Sequence, residues 1–330
     1  MPTWLPRHPS TFLARVGRHL RCPSGRFIWQ HRCVHLSTIA GSEGLDKPSC
    51  TYKATVAYDG TAYKGFQLQN PPDKRKITIQ GELEACLTRI FSVDRRALKV
   101  QGAGRTDSGV HARGQVVSFS AQRRELDILW KSMNSILPKD IRVVTLQEVP
   151  HSFNARHSAT GKTYAYVLDV GSTSDPFMLR YSQYVWRPVD VQAMRDAAQL
   201  FIGRHDFTQF ANTFPHEVDP TKAVRRFTVT EMPTAPHLIR LEVEGSGFLY
   251  KMVRHMVGAL IAVGTGIIEP SVIARLLIRG SSQLPGEQHR GWAVAEAQGL
   301  TLEECHYAAD HCRLQQVDAE MTLPSVTDDC

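Results

Sequence analysis

The sequence predicts an α+β fold with a largely antiparallel central sheet flanked by helices. Two observations support this prediction. Segments with strand character outnumber long amphipathic helices, and most connections between them have the length of hairpins rather than of crossovers. With 42% hydrophobic residues in 330, the chain can also bury a sizeable core.

The first part of the chain alternates predicted strands with two amphipathic helices. Apolar residues at helical spacing, such as Ile79, Leu83, Leu87 and Ile90, lie on one face of the first helix. Runs with alternating or β-branched residues, bounded by Gly, Asp or Pro, read as strands. The predicted strands cover 52–58, 98–102, 115–120 and 141–149, and the predicted helices cover 78–91 and 125–137.

The second part repeats this order loosely, without a sequence repeat of fixed period. Strands are predicted over 163–170, 223–231, 238–244 and 299–306, and helices over 190–202 and from 248 to about 263. The nearly apolar run 256–268 is shorter than the roughly 18 residues of a membrane span, so we interpret it as a buried helix end and a turn. We expect no membrane association, and a loop over 279–291.

The formal charge of +7 is unevenly distributed. Residues 1–50 hold seven basic and two acidic residues, whereas residues 309–330 hold one basic and five acidic residues, which predicts an acidic disordered tail. The body, residues 51–308, keeps 31 basic against 25 acidic residues. This moderate surplus is compatible with a local phosphate-binding face.

The first 42 residues contain six arginines and no acidic residue, and they lack the apolar stretch of a secretory signal. This composition predicts a transit peptide over residues 1–48, with a mitochondrion favoured over a plastid. The string 32–37, RCVHLS, resembles a mitochondrial processing site. The alternative is a disordered basic arm that binds RNA, in a protein of the cytoplasm.

The seven cysteines are scattered, with no Cys-x-x-Cys pair, so neither a zinc cage nor a disulfide framework is indicated. His205-Asp206 lacks a second ligand at helical spacing, which favours packing or RNA contact over metal binding. We therefore expect no metal and no cofactor.

A polar, glycine-punctuated connection between two predicted strands contains the most conspicuous run, GAGRTDSGVHARGQVVSF, at 102–119. Arg105 and Asp107 lie between Gly104 and Gly109, and glycines allow a bulky substrate to approach the backbone closely. Taken alone, such an aspartate is more often a turn residue that hydrogen-bonds its own backbone. His111 is expected to position this loop rather than to act as a base.

All 18 residues of this run resemble the signature of the TruA family of tRNA pseudouridine synthases. Further segments resemble family motifs in the expected order, and the resemblance spans about residues 51–307. They are AYDG with GFQ at 57–67, FNARHSAT at 153–160, GRHDF at 203–207 and FLYKMVR at 248–254. Phe66, His157 and Glu296 depart from the residues that are common in the family.

The resemblance implies a pseudouridine synthase fold with two similar α/β halves, 51–160 and 161–308, and an active-site cleft between them. It implies Asp107 as the catalytic nucleophile, Arg254 and Arg105 as its basic partners, and Tyr164 against the target uracil. We also expect Arg156, Lys162, His205 and Phe207 to contact the substrate. An aromatic strand residue such as Tyr164 is more often part of the core, but its ring can stack on a flipped base.

The implied reaction is the isomerisation of uridine to pseudouridine in the anticodon stem-loop of tRNA, at about positions 38 to 40, by a homodimer. A carboxylate can assist this reaction without a cofactor. Basic residues interleaved with the motifs suit an RNA backbone, although a charge pair such as Arg123-Arg124 is most often only a solvated face. The alternative is a non-catalytic RNA-binding or tRNA-chaperone protein on the same fold. A glycoside hydrolase is disfavoured because Asp107 has no evident carboxylate partner.

Overall fold

The computed structural model describes residues 49–68, 77–212, 218–278 and 291–308, together with the backbone of 316–318. Within these residues, eleven strands form one sheet in which most neighbours run antiparallel. Its main path runs, in order across the sheet, through β11 (Gln316–Asp318), β4 (Ile141–Val149), β1 (Ser49–Tyr58), β3 (His111–Gln122), β10 (Leu300–Tyr307), β5 (Ala159–Asp169), β9 (Ala235–Gly245), β8 (Thr221–Met232) and β7 (Gly203–Asp206), with β2 (Gln101–Gly102) beside β3 and β6 (Gln183–Tyr184) beside β5. With five helices, this architecture confirms the predicted α+β class. None of the helices in the described residues is long and apolar enough to cross a bilayer.

On one side of β10 in this strand order, the sheet contains β1 (Ser49–Tyr58), β2 (Gln101–Gly102), β3 (His111–Gln122) and β4 (Ile141–Val149), besides β11. Alternate side chains of β1, at positions 52, 54, 56 and 58, are buried, as expected of a strand with one face on the core. The same core cluster includes residues of α1 (Ile79–Phe91) and α2 (Leu126–Ile136). Thr78 caps α1 by accepting a hydrogen bond from Gly81 N.

On the other side of β10 in the strand order, the sheet contains β5 (Ala159–Asp169), β6 (Gln183–Tyr184), β7 (Gly203–Asp206), β8 (Thr221–Met232) and β9 (Ala235–Gly245). Helix α3 (Val191–Gln199) packs on β8 and on α4 (Met252–Gly264), which is buried along most of its length. The short helix α5 (Pro270–Leu276) follows and begins with a proline in its first turn.

Strand β10 (Leu300–Tyr307) joins the two sides, because it pairs in parallel with β3 and antiparallel with β5. Through this strand the register aligns Tyr58, Ala112, Leu302 and Tyr164 across four neighbouring strands. Side chains opposite each other in a sheet point to the same face. The joint between the two sides therefore carries two tyrosines on one face.

Several segments differ from their predicted structure. Most of 98–102 is not a strand, since a 3₁₀ helix, Arg95–Leu98, precedes the two-residue β2. Helix α4 begins at Met252 rather than at 248, because Lys251 adopts a left-handed conformation with φ 60°. The expected disordered tail is corrected at three residues, where β11 (Gln316–Asp318) pairs with the free edge of β4. The leader 1–48, most of the expected loop 279–291 and the rest of 309–330 lie outside the described residues.

Candidate active site

The loop between β2 and β3 is anchored to the sheet by buried hydrogen bonds. The Tyr58 hydroxyl lies 2.8 Å from Thr106 Oγ1, and Gln115 Nε2 donates to the Gly104 carbonyl oxygen at 3.0 Å. Tyr58, Thr106 and Gln115 are all buried, so losing either bond would remove a hydrogen-bond partner from polar atoms that water cannot easily reach. These contacts fix the backbone on both sides of Arg105.

A second support comes from the segment after β1. Phe66 N donates to the Thr106 carbonyl oxygen at 3.1 Å. Gly65 has φ +91°, and a β-carbon there would stand 2.8 Å from the Thr106 carbonyl oxygen. The space at Gly60 is smaller still, because a β-carbon there would stand 2.0 Å from the Val110 carbonyl oxygen. The two glycines of the 57–67 motif therefore allow this segment to pack directly against the backbone of the loop.

The loop presents Asp107 to the buried helix α4. Arg254 Nη1 donates to Asp107 Oδ2 at 2.9 Å, and Arg254 Nε donates to the Ala295 carbonyl oxygen at 2.7 Å. The side chains are 14% exposed for Arg254 and 21% exposed for Asp107. A guanidinium with two acceptors is held in a fixed orientation. The structure thus joins Asp107 and Arg254, which are 147 residues apart in the chain.

Tyr164 forms an aromatic wall beside this pair. Its ring is 8% exposed and meets Phe248 edge-on at a centroid distance of 5.3 Å. Burial raises the pKa of the Tyr164 phenol, and the charges of nearby groups, including Asp107, raise it further. The phenol therefore stays protonated at neutral pH, and it is close enough to Asp107 to respond to its charge.

At the far end of the loop, His111 and Asp59 connect β1 and β3 to the turn before β6. His111 Nδ1 accepts from Gly60 N at 3.1 Å, and its Nε2 lies 2.7 Å from the Arg180 carbonyl oxygen. Asp59 accepts from the Tyr181 hydroxyl at 2.9 Å. Burial lowers the pKa of His111 despite the nearby Asp59 carboxylate. A neutral ring that accepts through Nδ1 and donates through Nε2 fits the predicted positioning role.

Comparison with known proteins places this arrangement in a family. Residues 54–158 and 197–308 match the sequence model of a family described as tRNA pseudouridine synthase. The chain belongs to this family. It is 38% identical over 256 residues to tRNA pseudouridine synthase A of Brevibacillus brevis, an alignment that covers 77% of this chain and 98% of that protein. It is also 38% identical over 265 residues to the protein of the same name from Maridesulfovibrio salexigens, covering 79% of this chain and 91% of that one.

Within this pseudouridine synthase, the other predicted site residues lie at different depths. Arg105 is exposed and forms no ion pair with Asp107 in the described part of the chain. Lys162 is half-buried, and its Nζ lies 3.3 Å from the position that a β-carbon on Gly104 would take. Burial lowers the pKa of Lys162, and the charge of the exposed Arg156 lowers it further. Lys162 and Arg156 are therefore near each other and beside the loop.

Two residues that were predicted to contact the substrate, His205 and Phe207, do not lie with Asp107 and Tyr164. His205 lies on β7, three strands from β5 and thus roughly 14 Å away across the sheet. Its Nε2 lies 3.0 Å from the Ile202 carbonyl oxygen. Phe207 has no exposed surface and packs with Phe201 and Phe210. A ring without accessible surface cannot touch a substrate, so its role is corrected to core packing.

Several other exposed arginines, which could otherwise attract RNA, have carboxylate partners. Arg123 pairs with Glu148, Arg226 pairs with Glu242 at 2.8 Å, and Arg225 lies 3.5 Å from Glu244. Their charges are largely offset within the protein. No group of three or more potential metal ligands occurs among the residues that the structure describes.

The residues that fix the loop, Tyr58, Thr106, Gln115 and the Ala295 carbonyl, were not singled out from the sequence. One signal pointed to Gln115: it is a polar residue beside Val116 and Val117 in a strand whose other residues are largely buried. A buried polar side chain in such a strand is expected to satisfy a specific backbone group. The type of a side chain does not indicate whether the main-chain carbonyl of the same residue, such as that of Ala295, accepts a specific hydrogen bond.

Proposed function

We propose that the protein isomerises uridine to pseudouridine in tRNA and that the Asp107 carboxylate carries out the covalent step. The ion pair between Asp107 and Arg254, formed beside Tyr164 where the two sides of the sheet meet, is the observation that supports this assignment most strongly. Membership of the tRNA pseudouridine synthase family supplies the reaction class.

The reaction breaks the bond between C1′ and N1 of the uridine and forms a bond between C1′ and C5. A proton leaves C5 and another is added at N1, so no oxidant or reductant is needed. A negatively charged oxygen near C1′ and C6 can attack the sugar, attack the base or remove a proton from C2′. The bond from Arg254 goes to Asp107 Oδ2, so Oδ1 has no hydrogen-bond donor among the residues that the structure describes and is available for such a role.

The neighbouring residues have distinct roles in this proposal. Arg254 orients the carboxylate through its two hydrogen bonds and keeps a positive charge beside it. Tyr164 offers an apolar ring to a uracil that has left its helix. Lys162 and Arg156 lie on the approach and can neutralise phosphates that flank the target. Arg105, an exposed residue of the loop itself, has the same role in this proposal.

The finer points of the proposal concern substrate position, assembly and location. The target is a uridine in the anticodon arm, at about positions 38 to 40, by resemblance to the TruA signature. The active form is a homodimer, and the exposed apolar side chains of Phe177, Leu179 and Trp186 offer a surface that a second subunit could bury. The basic, acid-poor leader supports import into an organelle, with a mitochondrion favoured.

The decisive experiment compares Asp107→Asn with the parent protein. Pseudouridine in organellar tRNA would be mapped by sequencing, and its rate of formation measured by tritium release from C5-labelled transcripts. Asp107→Asn should abolish product formation while tRNA affinity stays within a few-fold. Asp127→Asn makes the same chemical change at an exposed carboxylate of α2 and should leave the rate unchanged. Undiminished activity of Asp107→Asn would rule out the assigned role, and a parent protein without activity on any tRNA would favour the RNA-binding alternative.

A further inference from the structure

A crevice of about 790 Å³ lies beside the 3₁₀ helix at 95–98, at some distance from the candidate active site. It lies where β3 runs beyond its short pairing with β2, which engages only Val117 and Ser118. Its lining combines the 3₁₀ helix, the edge of β3 and the turn after β4. Its charged lining residues are Glu84, Arg95, Arg96 and Lys99.

The charge of this crevice is unbalanced. Arg95, Arg96 and Lys99 line it, whereas Glu84 is the single carboxylate among its described lining residues. Glu84 is already engaged, since its Oε2 accepts from Arg95 Nη1 at 3.0 Å. Asp94 caps the 3₁₀ helix at Arg96 N and does not line the crevice. Two exposed cations, Arg96 and Lys99, therefore face the crevice without a partner carboxylate in its wall.

The local backbone holds these cations in place. Lys99 has φ 48°, a left-handed conformation that is uncommon for a residue with a β-carbon. Its N–H approaches the Arg96 carbonyl oxygen and ends the 3₁₀ helix. Leu98, immediately before it, is fully buried and anchors the turn in the core. The cations thus project from a fixed turn rather than from a loose loop.

Positively charged residues also lie between the loop that connects β2 to β3 and this crevice. Two lining residues hold the segment that carries Arg156, since Ser118 Oγ accepts from Ala155 N at 3.1 Å and Asn154 Oδ1 accepts from Arg156 N at 2.9 Å. Arg156 is close enough to Lys162 for their charges to interact, and Lys162 lies beside Gly104. Ser118 is also seven positions along β3 from His111, a distance of about 23 Å in an extended strand. A ligand engaging both places must be long and negatively charged along its length.

We propose that the crevice binds the phosphate backbone of the RNA substrate, through Arg96 and Lys99, at a point remote from the uridine that is modified. This inference rests on the proposed function, because the RNA bound at Asp107 supplies the phosphates. The hydroxyls of Thr51, Ser118 and Ser120 and the amides of Gln101 and Asn154 add neutral polar groups suited to phosphate and ribose oxygens. Contacts of this kind position an RNA without reading its sequence.

The test uses the double variant Arg96→Gln/Lys99→Gln of the full chain and an unmodified tRNA transcript. Affinity would be measured by fluorescence anisotropy between 50 and 200 mM salt. The logarithm of the affinity falls linearly with the logarithm of the salt concentration, and each lost phosphate contact makes this fall less steep by about 0.7 to 0.9. Over this fourfold range, the loss of two contacts should make the salt-induced weakening of binding about 7- to 12-fold smaller in the variant than in the parent. At saturating tRNA, kcat should be unchanged while KM rises.

Arg95 is left intact because its loss would leave the buried Glu84 carboxylate without its cationic partner. The matched control, Lys131→Gln/Lys139→Gln, removes two positive charges from α2 and the turn after it. It should keep the parental salt slope. If the crevice variant also keeps the parental slope, the inference is overturned while the proposed reaction stands. If the parent binds tRNA but makes no pseudouridine, the proposed function fails, and the slope still decides whether the crevice binds RNA.

Discussion

The ion pair between Asp107 and Arg254 can be tested as an energetic unit, independently of catalysis. At an effective dielectric constant of about 20, two charges about 4 Å apart attract each other by roughly 4 kcal/mol. Fully exposed pairs contribute only about 0.2–1 kcal/mol. Because the side chains are 14% and 21% exposed, this pair lies between those limits. We expect a coupling free energy of about 1–3 kcal/mol between the two side chains.

A double-mutant cycle isolates this coupling. The parent, Asp107→Ala, Arg254→Met and the double variant would be unfolded in urea at neutral pH, and the free energies of unfolding compared. Arg254→Met also loses the bond to Ala295 O, but that loss is shared with the double variant and cancels in the cycle. Because the pair is largely shielded from solvent, about 0.5 M salt should reduce the coupling only partly. A coupling below about 0.5 kcal/mol would refute the structural basis of the proposed site.

Two further predictions concern the support of the loop. Gly65→Ala should lower the free energy of unfolding by at least about 1–2 kcal/mol, because Gly65 has φ +91° and the new methyl group would meet Thr106 O at 2.8 Å. Gly247→Ala is its control, because no atom of the described residues lies within 4 Å of the added carbon. Equal stabilities of the two variants in urea would contradict this explanation. Because burial lowers the pKa of His111, the unfolded chain binds more protons than the folded chain as pH falls below about 6.5. His111 should therefore favour folding fully above that range and progressively less below it, so His111→Gln should flatten the fall in unfolding free energy between about pH 7 and pH 5. An unchanged profile would mean that His111 has the same pKa in the folded and unfolded chains, which contradicts the effect of burial.

Much of the fold followed from periodicity in the sequence. Strand β4 has the predicted bounds, and the apolar run 256–268 contains the end of α4 and a turn as expected. Errors occurred where a single residue overrides the pattern. The apolar spacing around Phe248 continues that of α4, yet the left-handed Lys251 delays the helix to Met252. A backbone conformation of this kind has no signature in hydrophobic periodicity.

The candidate site was predictable only in part, for a related reason. Asp107, Tyr164 and Arg254 stand in motifs that the sequence displays, and the structure brings them together. Phe207 stands in a motif as well, but a motif does not distinguish a ring that faces a ligand from one that faces the core. The supports of the loop depend on contacts between distant segments, such as Tyr58 with Thr106, which side-chain type alone does not specify.

The position of β10 has a consequence for the synthesis of this protein. It is the strand that connects β3 to β5, yet it is formed by residues 300–307, so every residue up to Tyr307 must leave the ribosome before the sheet is continuous. The carbonyl of Ala295, which holds Arg254, arrives with the same stretch. Contacts this far apart in sequence form slowly. A premature stop codon before residue 300 would remove β10, and the fragment would leave the edges of β3 and β5 unpaired and exposed to other chains.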